Sequence, residues 1–148
     1  MFQDCESLVK VDIQTLDTSS CTDMFAMFDN CLSIVNLDVT GFDTSNVTDM
    51  ALMFCDCESL KTLTVTGFDT GNVIDMAFMF DGCESLTSLD VSSFDTSDVW
   101  DMSYMFYRCY SLKNLKLGRF DTSSVTSYGS FFQNEYLPDG TYWRNMFE

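Results

Sequence analysis

The chain has 148 residues, nearly half of them apolar, which is enough for one domain with a substantial core. Its 23 acidic and 7 basic residues give a formal net charge of −16, which disfavours nucleic acid and anionic lipid as partners because both are negatively charged. It has no histidine, which excludes Ser-His-Asp and Cys-His catalysis, and no apolar run approaches the ~20 residues needed to cross a bilayer.

A repeat of 26 residues runs through the chain from its start. The pattern Met-Phe-x-x-Cys begins at Met1, Met27, Met53, Met79 and Met105. An apolar pair with one residue between its members follows, as at Leu63 and Val65, and then comes Phe-Asp-Thr or Leu-Asp-Thr. A repeat of fixed length without insertions predicts a solenoid in which each turn contacts its neighbours and equivalent side chains stack.

Each repeat is predicted to contain one short helix and one short strand. In the third repeat, Val47, Met50, Met53, Phe54 and Cys57 have the spacing of a helical stripe, and Leu63 and Val65 that of a strand. Polar residues precede each helical stripe where an N-cap belongs, and an aspartate follows three residues later at most of them. The N-cap positions are Ser20, Asn46, Asn72, Asp98 and Ser124.

These elements predict an α/β fold: a right-handed leucine-rich-repeat solenoid of five to six turns, with a parallel β-sheet on one face and short helices on the other. Residues 1–148 are expected to form a single domain, with 127–148 as a degenerate C-terminal cap in which Glu135 replaces the repeated cysteine. Because the first residue falls inside a repeat, we expect the chain to be a fragment of a longer protein.

The run Phe42–Met50, FDTSNVTDM, with Cys-x-x-Leu-x-x-Leu-x-Val before the next such run, resembles the BspA-like, mycoplasma-type repeats of 26 residues. These occur on surface proteins of mycoplasmas and of oral and gut bacteria. The resemblance covers residues 1–133 and implies a leucine-rich-repeat solenoid on a secreted or cell-surface protein. It implies no catalytic residues, and it implies binding to host or neighbouring-cell surfaces.

The repeated cysteines are expected to be small core residues rather than disulfide partners or metal ligands. A strict column points its thiols in the same direction, and no Cys-x-x-Cys pair is present. Cys21 stands where other repeats have valine and is also expected in the core. Cys55 falls in a polar position, shared with Asp29, Asp81 and Tyr107, and is expected to be the one exposed thiol.

A column of aspartates follows each repeated aromatic or leucine and leaves two interpretations open. Asp43, Asp69 and Asp95, with Asp17 and Asp121, could hold a row of Ca²⁺ ions between turns, or each could accept N–H groups of its own turn. The second interpretation is favoured because the glycine-rich loops of calcium solenoids are absent. No other cofactor is expected.

Two surfaces are candidates for binding. Asp38, Thr64 and Asp90 point outward from the predicted sheet, but this face has no aromatic anchor. Trp100, Tyr104, Tyr107 and Tyr110, with Phe78, replace small or polar residues of other repeats on the opposite side and form the better contact surface.

The leading hypothesis is a non-catalytic interaction or adhesion module of an extracellular bacterial surface protein, binding a protein or glycan on a host or neighbouring cell. The alternatives are a Ca²⁺-binding structural solenoid and an architectural spacer. An enzyme using paired carboxylates is least favoured, because every aspartate position recurs whereas an active site is singular.

Overall fold

The computed structural model describes all 148 residues and contains little regular secondary structure. There are two three-residue strands, β1 (Ser88–Asp90) and β2 (Asn114–Lys116), and a short 3-10 helix (Trp143–Met146). The strands pair in parallel with Leu89 opposite Leu115. There is no α-helix and no longer sheet. The predicted α/β leucine-rich-repeat solenoid, with helices on one face and a continuous sheet on the other, is therefore wrong.

The segment predicted to be helical fails to form a helix because alternate N–H groups bond outside it. Leu52 donates to the carbonyl of Ala77 at 2.9 Å, and Phe54 donates to Met79 at 3.0 Å. The N–H of Met53, between them, donates three residues back. An α-helix needs each N–H to bond the carbonyl four residues earlier, so a segment that gives every second donor to the next repeat cannot be helical.

Two positions in each repeat also have a left-handed backbone, which would interrupt a right-handed helix. The first set, with φ of 52 to 59°, is Ala26, Leu52, Phe78, Tyr104 and Ser130. The second set, with φ of 53 to 71°, is Asp4, Asn30, Asp56, Gly82 and Arg108. The segment is thus a series of tight turns, and the aspartates expected in capping boxes instead bond within such turns, as when Asp49 Oδ1 accepts the N–H of Ala51.

Equivalent residues of successive repeats lie against one another, as the 26-residue period predicts. Single-residue parallel bridges join Asp23 to Asp49, Asp49 to Asp75 and Asp75 to Asp101. A column of phenylalanine rings stacks in the interior, with centroid separations of 5.8, 5.7 and 5.5 Å and nearly parallel planes; the column is Phe28, Phe54, Phe80 and Phe106. Like-on-like stacking is therefore confirmed without the predicted helices.

One core of 37 buried residues extends from Ile13 to Trp143. The methionines that begin the repeated Met-Phe-x-x-Cys pattern are fully buried at Met53, Met79 and Met105. Near the C-terminus, Trp143 is buried, and its Nε1 donates to Asn134 O at 2.6 Å. None of the structure's helices has the length and apolar character needed to cross a membrane.

Buried threonines connect the repeats through paired hydrogen bonds. Thr70 Oγ1 donates to the carbonyl of Asp95 at 2.9 Å and accepts the N–H of the same residue at 2.8 Å. Thr18, Thr44 and Thr96 repeat this arrangement with Asp43, Asp69 and Asp121. A buried hydroxyl with both roles satisfied makes a favourable contact, whereas its loss leaves two backbone groups without partners.

Three of the five residues predicted to be N-caps bond across repeats through their side chains: Asn46, Asn72 and Ser124. Asn46 Nδ2 donates to Ser19 O at 2.9 Å, and Asn72 Nδ2 donates to Ser45 O at 2.8 Å. With no helix to begin, the N-cap assignment is wrong. These amides instead join each repeat to the preceding one.

Replacing Thr70 by valine should destabilise the fold, because valine keeps the shape and removes both hydrogen bonds to Asp95. We expect the free energy of unfolding to fall by about 2 kcal/mol, the cost of leaving two partly buried backbone groups unpaired. Urea unfolding followed by tryptophan fluorescence measures this loss.

Two controls accompany this substitution. Thr70→Ser retains the hydroxyl and should lose less stability, and Thr66→Val, at an exposed threonine, should change it little. Equal unfolding free energies for Thr70→Val and Thr66→Val would show that the buried hydroxyl does not stabilise the contact between repeats.

Candidate binding surface

Three aromatic rings cluster on the side of the fourth and fifth repeats. Phe78 and Tyr104 occupy equivalent positions, and their rings stack with centroids 4.7 Å apart. Tyr107 meets Tyr104 edge to face at 5.5 Å. All three side chains are half-buried, so they combine fixed positions with accessible ring surface. We call Phe78, Tyr104 and Tyr107 the aromatic cluster.

The backbone explains why two of these rings project from the fold. Phe78 and Tyr104 have φ of 58 and 59°, a region that costs an aromatic residue about 1–2 kcal/mol. Their N–H groups donate to Ser103 O and Gly129 O in the next repeat, so contacts between repeats impose this conformation. The rings therefore sit on a constrained backbone rather than on a loose loop.

The structure separates the other two predicted aromatic residues from this cluster. Trp100 is 45% exposed and Tyr110 is 63% exposed, and neither pairs with another ring. Trp100 lies beside Ile74, the equivalent residue of the preceding repeat, which is 46% exposed; the Trp100 N–H donates to Ile74 O at 2.9 Å. Trp100 and Ile74 thus form an exposed apolar pair, each four residues before a ring of the aromatic cluster in the sequence.

A guanidinium joins three repeats beside Tyr107. Arg108 donates to both oxygens of Asp81, at 2.9 and 2.7 Å, and its Nη1 lies 2.9 Å from Asp56 Oδ1. The hydrogen bonds to Asp81 raise the pKa of Arg108 and keep it charged. Burial nevertheless raises the pKa of the Asp81 carboxyl, because little water reaches it and the hydrogen bonds from Arg108 offset only part of this effect.

Gly82 provides the space for this network. A Cβ there would lie 2.2 Å from Asp56 Oδ1 and 3.2 Å from Arg108 Nη2, and the φ of 71° disfavours a side chain in any case. Other repeats have Asn30, Asp56 or Arg108 at this position. The glycine lets Arg108 reach past its nearest neighbour to a second repeat.

Cys55 is buried, with 4% exposure, so the prediction that it is exposed is wrong. Its position is polar in other repeats, but Asp29 and Asp81 are buried there too, which shows that a polar position need not be an exposed one. Ligand atoms of Cys55, Asp29 and Asp56 lie within 4.8 Å of one another. Asp56 is already paired with Arg108 and Asp29 accepts from Gln3 Nε2, so a cation at these three groups would compete with existing partners.

The repeated cysteines donate their thiols to backbone carbonyls. Cys57 Sγ donates to Phe28 O and Cys83 Sγ to Phe54 O, both at 3.3 Å. All seven cysteines are free, and the core position predicted for this column is confirmed from Cys31 onward, while Cys5 is half-buried. Cys21, also expected in the core, is half-buried. Burial raises the pKa of Cys31 to about 11 and that of Cys109 to about 12.

The aspartates considered as Ca²⁺ ligands each accept hydrogen bonds from their own turn. Asp43 Oδ1 accepts from the hydroxyl and N–H of Ser45, and Asp69 Oδ1 accepts from the N–H of Gly71. Asp95 bonds Ser97 in the same way, and these bonds lower the pKa values of Asp43 and Asp95. The turn interpretation is therefore the one that the geometry supports.

Asp38 and Thr64 are exposed, and Asp90 is half-buried, on the strand side of the chain. Asp38 and Thr64 line an open groove of about 630 Å³ over the first three repeats, and Asp90 lies outside it, paired with Lys116 at 3.1 Å. Val9 and Val35 line this groove beside Val11 and Leu37, although neither valine is among the predicted surface residues. The sequence does contain a signal for this groove: valine occupies this position in the first two repeats, whereas later repeats have lysine or threonine there.

One family model matches the chain, over residues 1–60 and again over residues 31–141. Its description is "Mycoplasma protein of unknown function, DUF285". No curated protein and no solved structure matches the chain.

Replacing Arg108 by glutamine should destabilise the fold, because it leaves the carboxylate of Asp81, with only 6% side-chain exposure, without its counter-ion. We expect a loss of about 2 kcal/mol at pH 7, less than for a fully buried pair because the guanidinium is a third exposed. The pKa of Asp81 is already raised by burial, so protonation as the pH falls should relieve the penalty and shrink the loss near pH 4.

Lys116→Gln is the matched control, since Lys116 makes an exposed ion pair with Asp90. It should cost less than ~0.5 kcal/mol. Urea unfolding of both variants at pH 7 and pH 4 tests the difference. A loss for Arg108→Gln that stays the same or grows at pH 4 would contradict the buried-carboxylate explanation.

Thiol reactivity should divide the seven cysteines into two groups. At pH 8 we expect Ellman's reagent to modify the half-buried Cys5 and Cys21, while the five buried thiols react only after unfolding in urea. Burial, with smaller contributions from Asp56 and Asp81, raises the pKa of Cys55, so this thiol has little thiolate to react. Mass spectrometry of the labelled peptides identifies the sites, and labelling of Cys55 as fast as that of Cys5 would contradict its placement.

Proposed function

We propose a non-catalytic interaction role for this chain, which belongs to the DUF285 family of mycoplasma proteins. The proposed module holds a fixed aromatic surface against a partner on a host or neighbouring cell. The observation that carries the proposal is the aromatic cluster of Phe78, Tyr104 and Tyr107 on a constrained backbone. Aromatic side chains of this kind are enriched at protein interfaces because they offer large contact area at low entropic cost.

The non-catalytic part of the proposal is supported by how the carboxylates are used. Asp43, Asp69 and Asp95 hold turns, and Asp56 and Asp81 pair with Arg108. A general acid and base are usually recognised as two titratable groups in one open cleft whose environments shift their pKa values apart. These aspartates do not form such a pair.

An extracellular or cell-surface location is part of the same proposal. It is supported by the resemblance of Phe42–Met50 to the BspA-like surface repeats. Trimming of the protein by a protease added to intact cells checks it, and complete protection in intact cells alongside cleavage in lysates would overturn it.

A binding screen tests the interaction role directly. The purified chain is applied to arrays of glycans and extracellular-matrix proteins beside the triple variant Trp100→Thr, Tyr104→Ser, Tyr107→Gln. Each substitution introduces a residue found at the equivalent position of another repeat, so the fold should be retained and the net charge is unchanged. We expect hits of the native chain to weaken at least tenfold in the triple variant, because aromatic side chains dominate contact energies.

Phe25→Ala is the matched control. Phe25 is an exposed aromatic residue of the second repeat, and alanine occupies its position at Ala51 and Ala77. It should leave the hits unchanged. Hits that survive the triple variant but are lost on Phe25→Ala would move the contact surface away from the aromatic cluster.

A further inference from the structure

Two adjacent repeats form a partly exposed strip, in which half-buried carboxylates lie in sequence between an exposed apolar pair and a pair of half-buried aromatic rings. Asp75 and Asp101 face each other in a parallel bridge. Ile74 and Trp100 precede them, and Phe78 and Tyr104 follow three residues later with their rings stacked. We define the binding strip by these six residues: Ile74, Asp75, Phe78, Trp100, Asp101 and Tyr104.

The carboxylates of this strip have no cationic partner in the fold. The ion pairs of the chain join Arg108 to Asp56 and Asp81, and Lys116 to Asp90. Asp75 and Asp101 each accept an N–H two residues on, from Ala77 and Ser103, and nothing neutralises them. Burial raises the pKa of Asp75, and the neighbouring charges of Asp49 and Asp101 add to this effect. A cation placed here would relieve that repulsion.

The rings beside these carboxylates suit the same kind of ligand. A guanidinium or ammonium group is attracted to the face of tryptophan or tyrosine, and a nearby carboxylate adds a charge-assisted hydrogen bond. Trp100 is exposed and has no cation over its ring, whereas Trp143, the other tryptophan, is buried with Arg144 over it at 4.5 Å. Of the two indoles, Trp100 is therefore the one open to an external cation.

The charge of the whole chain favours a basic partner. With 23 acidic and 7 basic residues, the surrounding field attracts cationic segments and repels acidic ones. We propose that the binding strip recognises a basic peptide segment of a partner protein, with arginine or lysine side chains against Trp100 and Tyr104 and paired with Asp75 and Asp101. The proposal rests on the interaction role proposed above and names the chemistry of its partner.

Fluorescence anisotropy with a defined probe tests this inference. The probe is a fluorescein-labelled peptide of four Arg-Gly units, compared with one of four Glu-Gly units, at 150 mM salt, which screens long-range attraction. We expect the arginine peptide to bind and the glutamate peptide not to bind. Trp100→Thr should weaken binding about fivefold, the range of an exposed cation–π contact, and Asp101→Asn should weaken it by a similar factor.

A charge-matched control separates recognition from diffuse attraction. Asp98→Asn removes one exposed charge outside the strip and restores the residue of Asn46 and Asn72, so it should change binding less than twofold. Equal weakening by Asp98→Asn and Asp101→Asn, with no effect of Trp100→Thr, would overturn the inference. Array hits that depend on Trp100 but are neutral glycans, together with no binding of the arginine peptide, would overturn it while leaving the interaction role in place.

Discussion

The fold depends on the division of backbone hydrogen bonds between two directions. In each repeat, one set of N–H groups closes tight turns within the repeat, and another set bonds carbonyls of the neighbouring repeats. Only 3 of 64 backbone hydrogen bonds lie within the regular helix and strands, so turns and contacts between repeats account for the other 61. The structure therefore meets the general requirement that buried backbone groups be paired without building helices or an extended sheet.

This division requires repeats of equal length. A donor such as Phe54 N–H reaches Met79 O 25 residues later, and the Thr70 hydroxyl reaches Asp95 by the same step. One inserted residue would displace every later donor from its acceptor and every later phenylalanine from the ring stack. Three kinds of contact therefore fix the number of residues per repeat: backbone hydrogen bonds, hydrogen bonds of the buried threonine hydroxyls, and packing of the core.

The sequence predicts the repeat, its stacking and the apolar core, because those follow from which residues recur. It does not distinguish a helix from the observed turns, because Val47, Met50, Met53 and Phe54 place apolar side chains inward in either conformation. The signal against a helix was the recurring Asp4, Asn30, Asp56 and Gly82, residue types that favour a left-handed backbone. The prediction for Cys55 is wrong for a related reason, because a repeated position can be polar and still be buried, as at Asp29 and Asp81.

The candidate surface could be predicted only in part, because it arises where the repeat departs from its own pattern. Trp100, Phe78 and Tyr104 stand out against threonine, alanine and serine at equivalent positions, and this contrast is visible in the sequence. The 26-residue period predicts that Phe78 meets Tyr104 and that Asp75 meets Asp101, but the burial of these four side chains depends on the turns of the folded backbone. Equivalent positions of consecutive repeats lie against each other, so unusual side chains at the same position of two consecutive repeats come into contact. Two such departures in consecutive repeats therefore place aromatic rings beside carboxylates that recur throughout the chain.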